Sequence, residues 1–479
     1  MNFTDLKYSR IFEIFEQIAT IPHGSQNCSE ISRFCIEFAS DLGLKHYSDA
    51  SGNVVIYKNG TFGLENAEPI ILQGHLDMVC QKTADSSTNF LTDPLKLIRE
   101  GDMLSAEDTT LGADNGIAIA MVLAILESSD IKHPPIEAVF TVDEEIGMLG
   151  AIDLDMSVLS ANRMVNLDAE EDNSVIVSCA GGTDVFVSMP LNRIIKTGYR
   201  VTAEITGLQG GHSGVEINSG RINSNLVCGR LLNSIKNAFD FDIISINGGD
   251  KGNAITNYSK IELLTNNADE LCKFIRSEAD VIKKEVLATE KGFSVTVSSD
   301  NTEKEYEVFS SVVKEDTVYT LACIPDGVQA MSFEIENLVE TSLNLGIVKT
   351  TDDEIVFLST LRSNKESTLI SLQNKLKTFY SKTNGKVKSS GFYPPWEYKS
   401  DSELSNKFVN SYINIVGEKP YVNAIHAGLE CAVFASKIKN IDCIAIGPNI
   451  YDVHTVNEKL SISSTLQTFE ILLDLLSDL

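Results

Sequence analysis

Apolar residues recur at helical spacing near the start of the chain, at Ile11, Phe12, Ile14, Phe15 and Ile18. That spacing predicts a helix over residues 7–20, ended by Pro22. A second helix is predicted from Ser29 to Leu42, with Ile31, Phe34, Cys35, Phe38 and Ala39 on one face. Strand-like Asn53–Tyr57 and the short apolar run Pro69–Leu72 follow. Ile117–Leu126 is Ala-rich and apolar throughout, which fits a buried helix. It is the longest apolar run, and it is too short to span a bilayer. Two further strands, Ile136–Val142 and Met164–Leu167, continue an alternation of strands and helices that indicates an α/β layer. Cys179–Thr183 reads as a turn leaving that layer.

From about Asp184 to Ser390 the texture changes. Strand-like Val185–Val187 and Tyr199–Ile205 alternate with amphipathic helices over Arg221–Ala238 and Ala268–Leu287, as in an α+β domain. The chain returns through Phe392–Trp396, a Pro-rich junction, to a helix over Ser402–Val416 and strands Tyr421–Ile425 and Ile441–Ile446. A chain of 479 residues is too long for one compact core. The expected organisation is an α/β domain in two parts, residues 1–183 and 391–479, interrupted by an inserted α+β domain over residues 184–390.

Composition narrows the functional classes. Hydrophobic residues make up 43% and charged residues 22%, enough apolar material for a large core. The formal net charge of -28 repels phosphate backbones and anionic lipid, which argues against nucleic-acid and membrane-surface roles. The start of the chain shows no basic segment followed by an apolar one. The nine cysteines are scattered without a Cys-x-x-Cys pair, as expected of reduced, buried thiols in a cytoplasmic protein.

Candidate chemistry sits at the ends of the apolar segments. His75 and Asp77 follow Pro69–Leu72, and a His-x-Asp at a strand end supplies a metal ligand and its orienting carboxylate together. Asp114 and Asn115 precede the Ala-rich helix. Asp143, Glu144 and Glu145 follow Ile136–Val142, and Asp168 follows Met164–Leu167. Each has an ordinary alternative: a surface salt bridge, a helix cap, a solvated acidic turn. Open α/β sheets, however, form sites outside the carboxyl ends of their strands. His75, Asp114, Glu145, Asp168 and His454 are therefore expected to converge, and two imidazoles with three carboxylates suit zinc, manganese or cobalt. Two divalent cations would balance three carboxylates and one hydroxide.

Several blocks occur together in order: Ile21-Pro22-His23-Gly24-Ser25, Gly74-His75-Leu76-Asp77-Met78-Val79, Gly112-Ala113-Asp114-Asn115-Gly116 and Asp143-Glu144-Glu145-Ile146-Gly147-Met148. Further along stand Cys179-Ala180-Gly181-Gly182, Gly210-Gly211-His212-Ser213-Gly214, Pro325-Asp326-Gly327-Val328 and His426-Ala427-Gly428-Leu429-Glu430. In these blocks the chain resembles the Xaa-His dipeptidase family (peptidase D, aminoacyl-histidine or cytosol non-specific dipeptidases), part of a larger group of two-zinc exopeptidases. The resemblance covers nearly the whole chain. It implies a zinc-exopeptidase-like catalytic domain, helices on a mixed sheet, with the inserted α+β domain acting as a lid.

The resemblance also implies roles. His75, Asp114 and Asp168 would hold one zinc, and Asp114, Glu145 and His454 the other, with Asp114 bridging. Glu144 would be the general base and Asp77 the carboxylate that orients His75. His212 would stabilise the tetrahedral oxyanion, a contribution of ~3 kcal/mol for one donor. Asn253 and Arg362 would hold the oxyanion or the substrate carboxylate, and His426 and Glu430 would line the substrate pocket or support the metal ligands. Thr256 and Asn257 depart from the family's pattern, which has a Pro and a basic residue there. His23 is expected to be structural, and His46 and His133 to be surface or loop residues. Cys80 and Cys179 are expected to be small core residues. The implied activity is hydrolysis of unblocked dipeptides by a cytoplasmic homodimer. Two alternatives stay open: deacylation of N-acyl amino acids or tripeptide trimming, and a non-catalytic metal- or peptide-binding protein.

Overall fold

The structure is a computed structural model that describes residues 3–300 and 302–479. Its chain divides into two compact units. Unit 1 comprises Met1–Cys179, Trp396–Ala424 and Leu429–Leu479, and unit 2 comprises Ala180–Pro395 with Ile425–Gly428.

Unit 1 is built on an eight-stranded sheet, in the order Lys45–Ser48, Val54–Lys58, Ile136–Thr141, Ile70–His75, Arg163–Asn166, Asp442–Ala445, Ser174–Cys179 and Tyr421–Ile425. The four central strands run parallel, while Lys45–Ser48, Val54–Lys58 and Ser174–Cys179 pair antiparallel with their neighbours. The sheet is therefore mixed, as expected. Ile70, Ile71 and Leu72 are fully buried, as a central strand covered on both faces requires. Each such side chain contributes ~1.5–3 kcal/mol relative to exposure. The Ala-rich run lies in the helix Ala113–Glu127, which packs on the Ile70–His75 strand and on the helix Ser9–Ala19. Small side chains let the layers approach closely there. A Cβ on Gly116 would stand 3.2 Å from the Phe15 ring. The second predicted helix runs Ser29–Asp41 and the predicted C-terminal one Glu403–Val416; a further helix, Ile462–Ser477, was not expected.

Unit 2 carries a ten-stranded sheet whose pairings are antiparallel. Its helices are Ser224–Lys236, Ala268–Val286, Ser311–Cys323 and Glu366–Tyr380. Together they bury a core that includes Leu231, Ile235, Ile261, Leu343, Phe357 and Tyr380. Cys179–Thr183 is not a turn. Strand Ser174–Cys179 passes almost directly into strand Gly181–Pro190. The glycines serve close approach instead, since a Cβ on Gly181 would lie 2.4 Å from the Pro395 nitrogen. No helix among the described residues is long and apolar enough to cross a membrane.

His133, expected at the surface or in a loop, is a loop residue but fully buried. Thr61 closes that loop, accepting from the His133 backbone N–H at 3.1 Å and donating to its carbonyl at 2.9 Å. The nine cysteines are free; most are buried, but Cys323 is exposed.

Candidate active site

Three of the central parallel strands end side by side in unit 1. His75 closes the strand Ile70–His75 and lies opposite Thr141, while Gln73 lies opposite Asn166. The chain continues from Thr141 to Glu144 and Glu145, and from Asn166 to Asp168. The chain leaves Ile70–His75 toward Ile136–Thr141 on one side and leaves the adjacent Arg163–Asn166 toward Ser174–Cys179 on the other, and such a reversal opens a crevice at the carboxyl ends. Asp114 reaches the crevice from the helix, but not as a cap. Its φ and ψ of -80° and 103°, and the -118° and 25° of Asn115, interrupt the helical geometry, so its carboxylate turns to the imidazoles. Asn115 then ties two strand ends together, accepting from the His75 N–H at 3.2 Å and donating to the Leu167 carbonyl at 2.9 Å. Gly74 makes room for it: a Cβ there would stand 2.4 Å from the Asn115 Oδ1.

The five expected ligands form two groups that share Asp114. His75 Nε2 lies 3.0 Å from Asp114 Oδ1 and 3.3 Å from Asp168 Oδ1. His454 Nε2 lies 3.2 Å from Asp114 Oδ2 and 2.9 Å from Glu145 Oε1. Within each group the donor atoms fall within 4.8 Å of one another. Glu144 belongs to neither group.

The electrostatics of this cluster call for a cation. Burial pushes the Asp168 carboxyl up to about 7, with Asp114 and Glu145 adding to the effect. Burial likewise holds Glu144 well above the ordinary carboxylate range. Burial also opposes the charge of Asp114, yet the imidazoles of His454 and His75 hold its carboxyl well below that range. Hydrogen bonds to Asp114 and Glu145 push His454 up to about 11. Among the described residues no Lys or Arg pairs with these carboxylates. Imidazole nitrogens and carboxylate oxygens are suitable divalent-ion donors, so the residues present fit a metal centre.

Asp77 stands beside His75 and makes further bonds that sequence reasoning did not expect. The His75 Nδ1 lies 2.9 Å from the Asp77 main-chain carbonyl and 3.5 Å from its carboxylate. That carboxylate also accepts from the Glu144 N–H at 2.9 Å, the Glu145 N–H at 3.3 Å and the Ser25 hydroxyl at 2.8 Å. It therefore anchors the Glu-Glu loop as well as standing beside the histidine.

A model of peptidase family M20/M25/M40 matches residues 71–478. The chain belongs to that family. It is a hydrolase of the metallopeptidase type, and its ligand groups are the family member's candidate metal site. It is 32% identical over 474 residues to the cytosol non-specific dipeptidase of Escherichia coli, covering 98% of this chain and 97% of that one. It also matches the crystal structure of the aminoacylhistidine dipeptidase from Vibrio alginolyticus. That match has 33% identity and a TM-score of 0.90, and covers 100% of this chain and 98% of the other. The aminopeptidase PepT of Bacillus cereus shares the fold at 14% identity and a TM-score of 0.57, with 99% of each chain covered.

The remaining expected residues of this M20 peptidase are divided between the units. Glu430, in unit 1, is fully buried; its Oε2 accepts from the Thr141 hydroxyl at 2.7 Å and from the Gln73 amide. Burial pushes its carboxyl up to about 7. It braces the strand that carries His75 and the strand end that leads into Glu144, while its Oε1 has no hydrogen-bond partner. His426, four residues earlier, belongs to unit 2, where its Nε2 meets the Ser342 hydroxyl at 2.7 Å and its Nδ1 the Asn364 Oδ1 at 3.2 Å.

In unit 2, His212 forms a two-residue strand with Gly211, paired to Ala254–Ile255. Its Nδ1 accepts from the backbone N–H groups of Gly214 and Val215, both at 3.3 Å. That acceptor role puts the proton of the neutral ring on Nε2. Burial, reinforced by the charge of Arg362, lowers its pKa to about 4. Arg362 is buried and bonds the Tyr393 hydroxyl at 2.9 Å. Its Nε has no hydrogen-bond partner, and among the described residues it has no carboxylate partner. The Asn253 main chain accepts from the Ser213 N–H at 2.8 Å, and its side chain is exposed. Sequence reasoning assigned no role to Ser25 or Glu458, and placed Asn115 only at the start of a helix beside Asp114. Ser25 and Asn115 lay within the quoted blocks; Glu458 carried no signal.

Proposed function

We propose that this chain is a two-zinc dipeptidase that hydrolyses unblocked dipeptides, acting in the cytoplasm as a homodimer. The observation that carries the proposal is the pair of ligand groups sharing Asp114, with an unligated Glu144 beside the ligand Glu145. In this reading His75, Asp114 and Asp168 hold one ion and Asp114, Glu145 and His454 the other. The dipeptidases of Escherichia coli and Vibrio alginolyticus named above support the substrate class, and the cytosol named for the first supports the compartment.

Bound divalent ions supply Lewis acidity and a water acidified toward neutrality. The chain's own residues do the rest. Glu144 takes the proton of the attacking water at its carboxylate and delivers it to the leaving amine, which requires a carboxylate that is not itself a ligand. The backbone bonds from Glu144 and Glu145 to Asp77 fix the approach of that base. His212 donates a hydrogen bond from its Nε2–H to the developing oxyanion, keeping its proton, and Arg362 pairs with the substrate carboxylate through its guanidinium fork.

The deciding experiment is a panel of free dipeptides, a tripeptide and an N-acetylated control, given to chelator-stripped protein with and without zinc or manganese. Metal-dependent cleavage of the free dipeptides alone is the expected result. Cleavage of only the acetylated control would make the chain a deacylase, and bound metal without any cleavage would make it a binding protein.

His212→Ala is expected to lower kcat by about 10²–10³-fold with metal content unchanged. A rise in KM alone would move His212 from the oxyanion to substrate anchoring. Because its folded pKa lies near 4, below the ordinary 6.5, the neutral donor persists through the physiological range. Its contribution to stability is complete above about pH 6.5 and is lost as pH falls toward 4.

A further inference from the structure

Glu458 lies four residues beyond His454 and is buried. Its carboxylate collects four consecutive backbone N–H groups. Leu111 and Gly112 donate to Oε2 at 2.8 and 3.2 Å, and Ala113 and Asp114 donate to Oε1 at 2.8 and 3.4 Å. Gly112, with φ 68°, curves the chain so that these donors converge. Asp114 is not helical, so this segment owes its placement to the distant carboxylate more than to the helix that follows.

At its other end, Glu458 is held in the turn that presents His454. Its N–H donates to the Thr455 carbonyl at 3.2 Å, and the Thr455 N–H and hydroxyl both reach the Asp452 carbonyl, at 3.2 and 2.7 Å. Within that closed turn His454 adopts a φ of 63°, the left-handed region that side chains rarely enter. One carboxylate thus fastens the backbone of Asp114 to the turn whose imidazole lies 3.2 Å from the Asp114 side chain.

We infer that Glu458 is a positioning residue of the metal centre: by tying segment 111–114 to the His454 turn it sets the spacing of two ligands and so the ion affinity of the Asp114–Glu145–His454 group. The inference rests on the metal reading of the site. Charge and shape both matter. A glutamine keeps one acceptor oxygen but turns an NH₂ toward two N–H donors, leaving them unmatched. Glu137 provides the internal comparison. It is also a buried carboxylate of unit 1, accepting from the N–H and hydroxyl of Ser160 and the N–H of Ala161, with none of the metal-ligand residues among its partners.

The test titrates zinc calorimetrically into chelator-stripped full-length protein and records the visible spectrum of the cobalt-loaded form. It compares the wild type with Glu458→Gln, Glu458→Asp and Glu137→Gln. The expected result is that Glu458→Gln weakens one of the two ions by about 10–100-fold and shifts the cobalt bands. Glu458→Asp, which keeps the charge on a shorter arm, should recover part of the affinity. Glu137→Gln should melt earlier while binding zinc as the wild type does. Wild-type affinity in Glu458→Gln, or an equal loss in Glu137→Gln, overturns the inference. If Glu458→Gln does not fold, Glu458→Asp decides in the same way, because wild-type affinity in it is also overturning. A wild type that takes up no zinc would instead overturn the metal reading, and this inference with it.

Discussion

Replacing Asp114 with alanine is expected to strip the protein of metal. Metal content should fall from about two ions per chain to below one, and kcat should drop by more than the ~10²–10⁴-fold that loss of a proton-transfer group costs. Asp114 is the residue common to both ligand groups, offering Oδ1 toward His75 and Oδ2 toward His454. Without it each group retains two donors, His75 with Asp168 and Glu145 with His454, short of the three protein ligands that catalytic zinc sites keep. Asp114→Asn should behave alike, because the amide preserves shape but not the charge that opposes two divalent ions. Elemental analysis of dialysed protein reads the outcome directly. Two ions at full occupancy in either variant would refute the bridging role.

Glu144→Gln should separate chemistry from metal binding. Both ions should remain, KM should stay within a few-fold, and kcat should fall by ~10²–10⁴-fold. The substitution removes the proton acceptor yet leaves Glu145 and the backbone bonds to Asp77 in place. Steady-state rates alongside metal content distinguish this from a damaged site. Full activity would mean that another group accepts the proton, and loss of metal would make Glu144 a ligand.

Much of this was legible along the chain because it is local. The hydrophobic spacing of the N-terminal helix and the Ala-rich run reflects which faces are buried, and those helices occur at Ser9–Ala19 and Ala113–Glu127. Apolar runs ending in acids or histidine marked strand ends, where side chains project into a crevice. His75, Glu145 and Asp168 were therefore visible as candidates from position alone. Asp114 was visible for a reason that proved incomplete: it stands before a helix, but breaks the helical geometry to meet two imidazoles.

Partners far apart in sequence were not legible. Periodicity tells which face a residue occupies and says nothing about which strand lies beside it. Glu430 and His426 share one block yet make their bonds in different units. That Arg362 is buried without a carboxylate partner does not follow from its strand, because an apolar run does not say what its polar member will meet. The Asp77 carboxylate binds the Glu-Glu loop only because parallel strands place residues 77 and 144 together. Local pattern, set by the solvation of each face, determined the elements and most of the candidate ligands. Sheet order and loop closure decided which carboxylate lies between both imidazoles, which accepts from the Glu-Glu loop and which stays outside the two ligand groups, because hydrogen bonds across hundreds of residues depend on neighbours that only folding supplies.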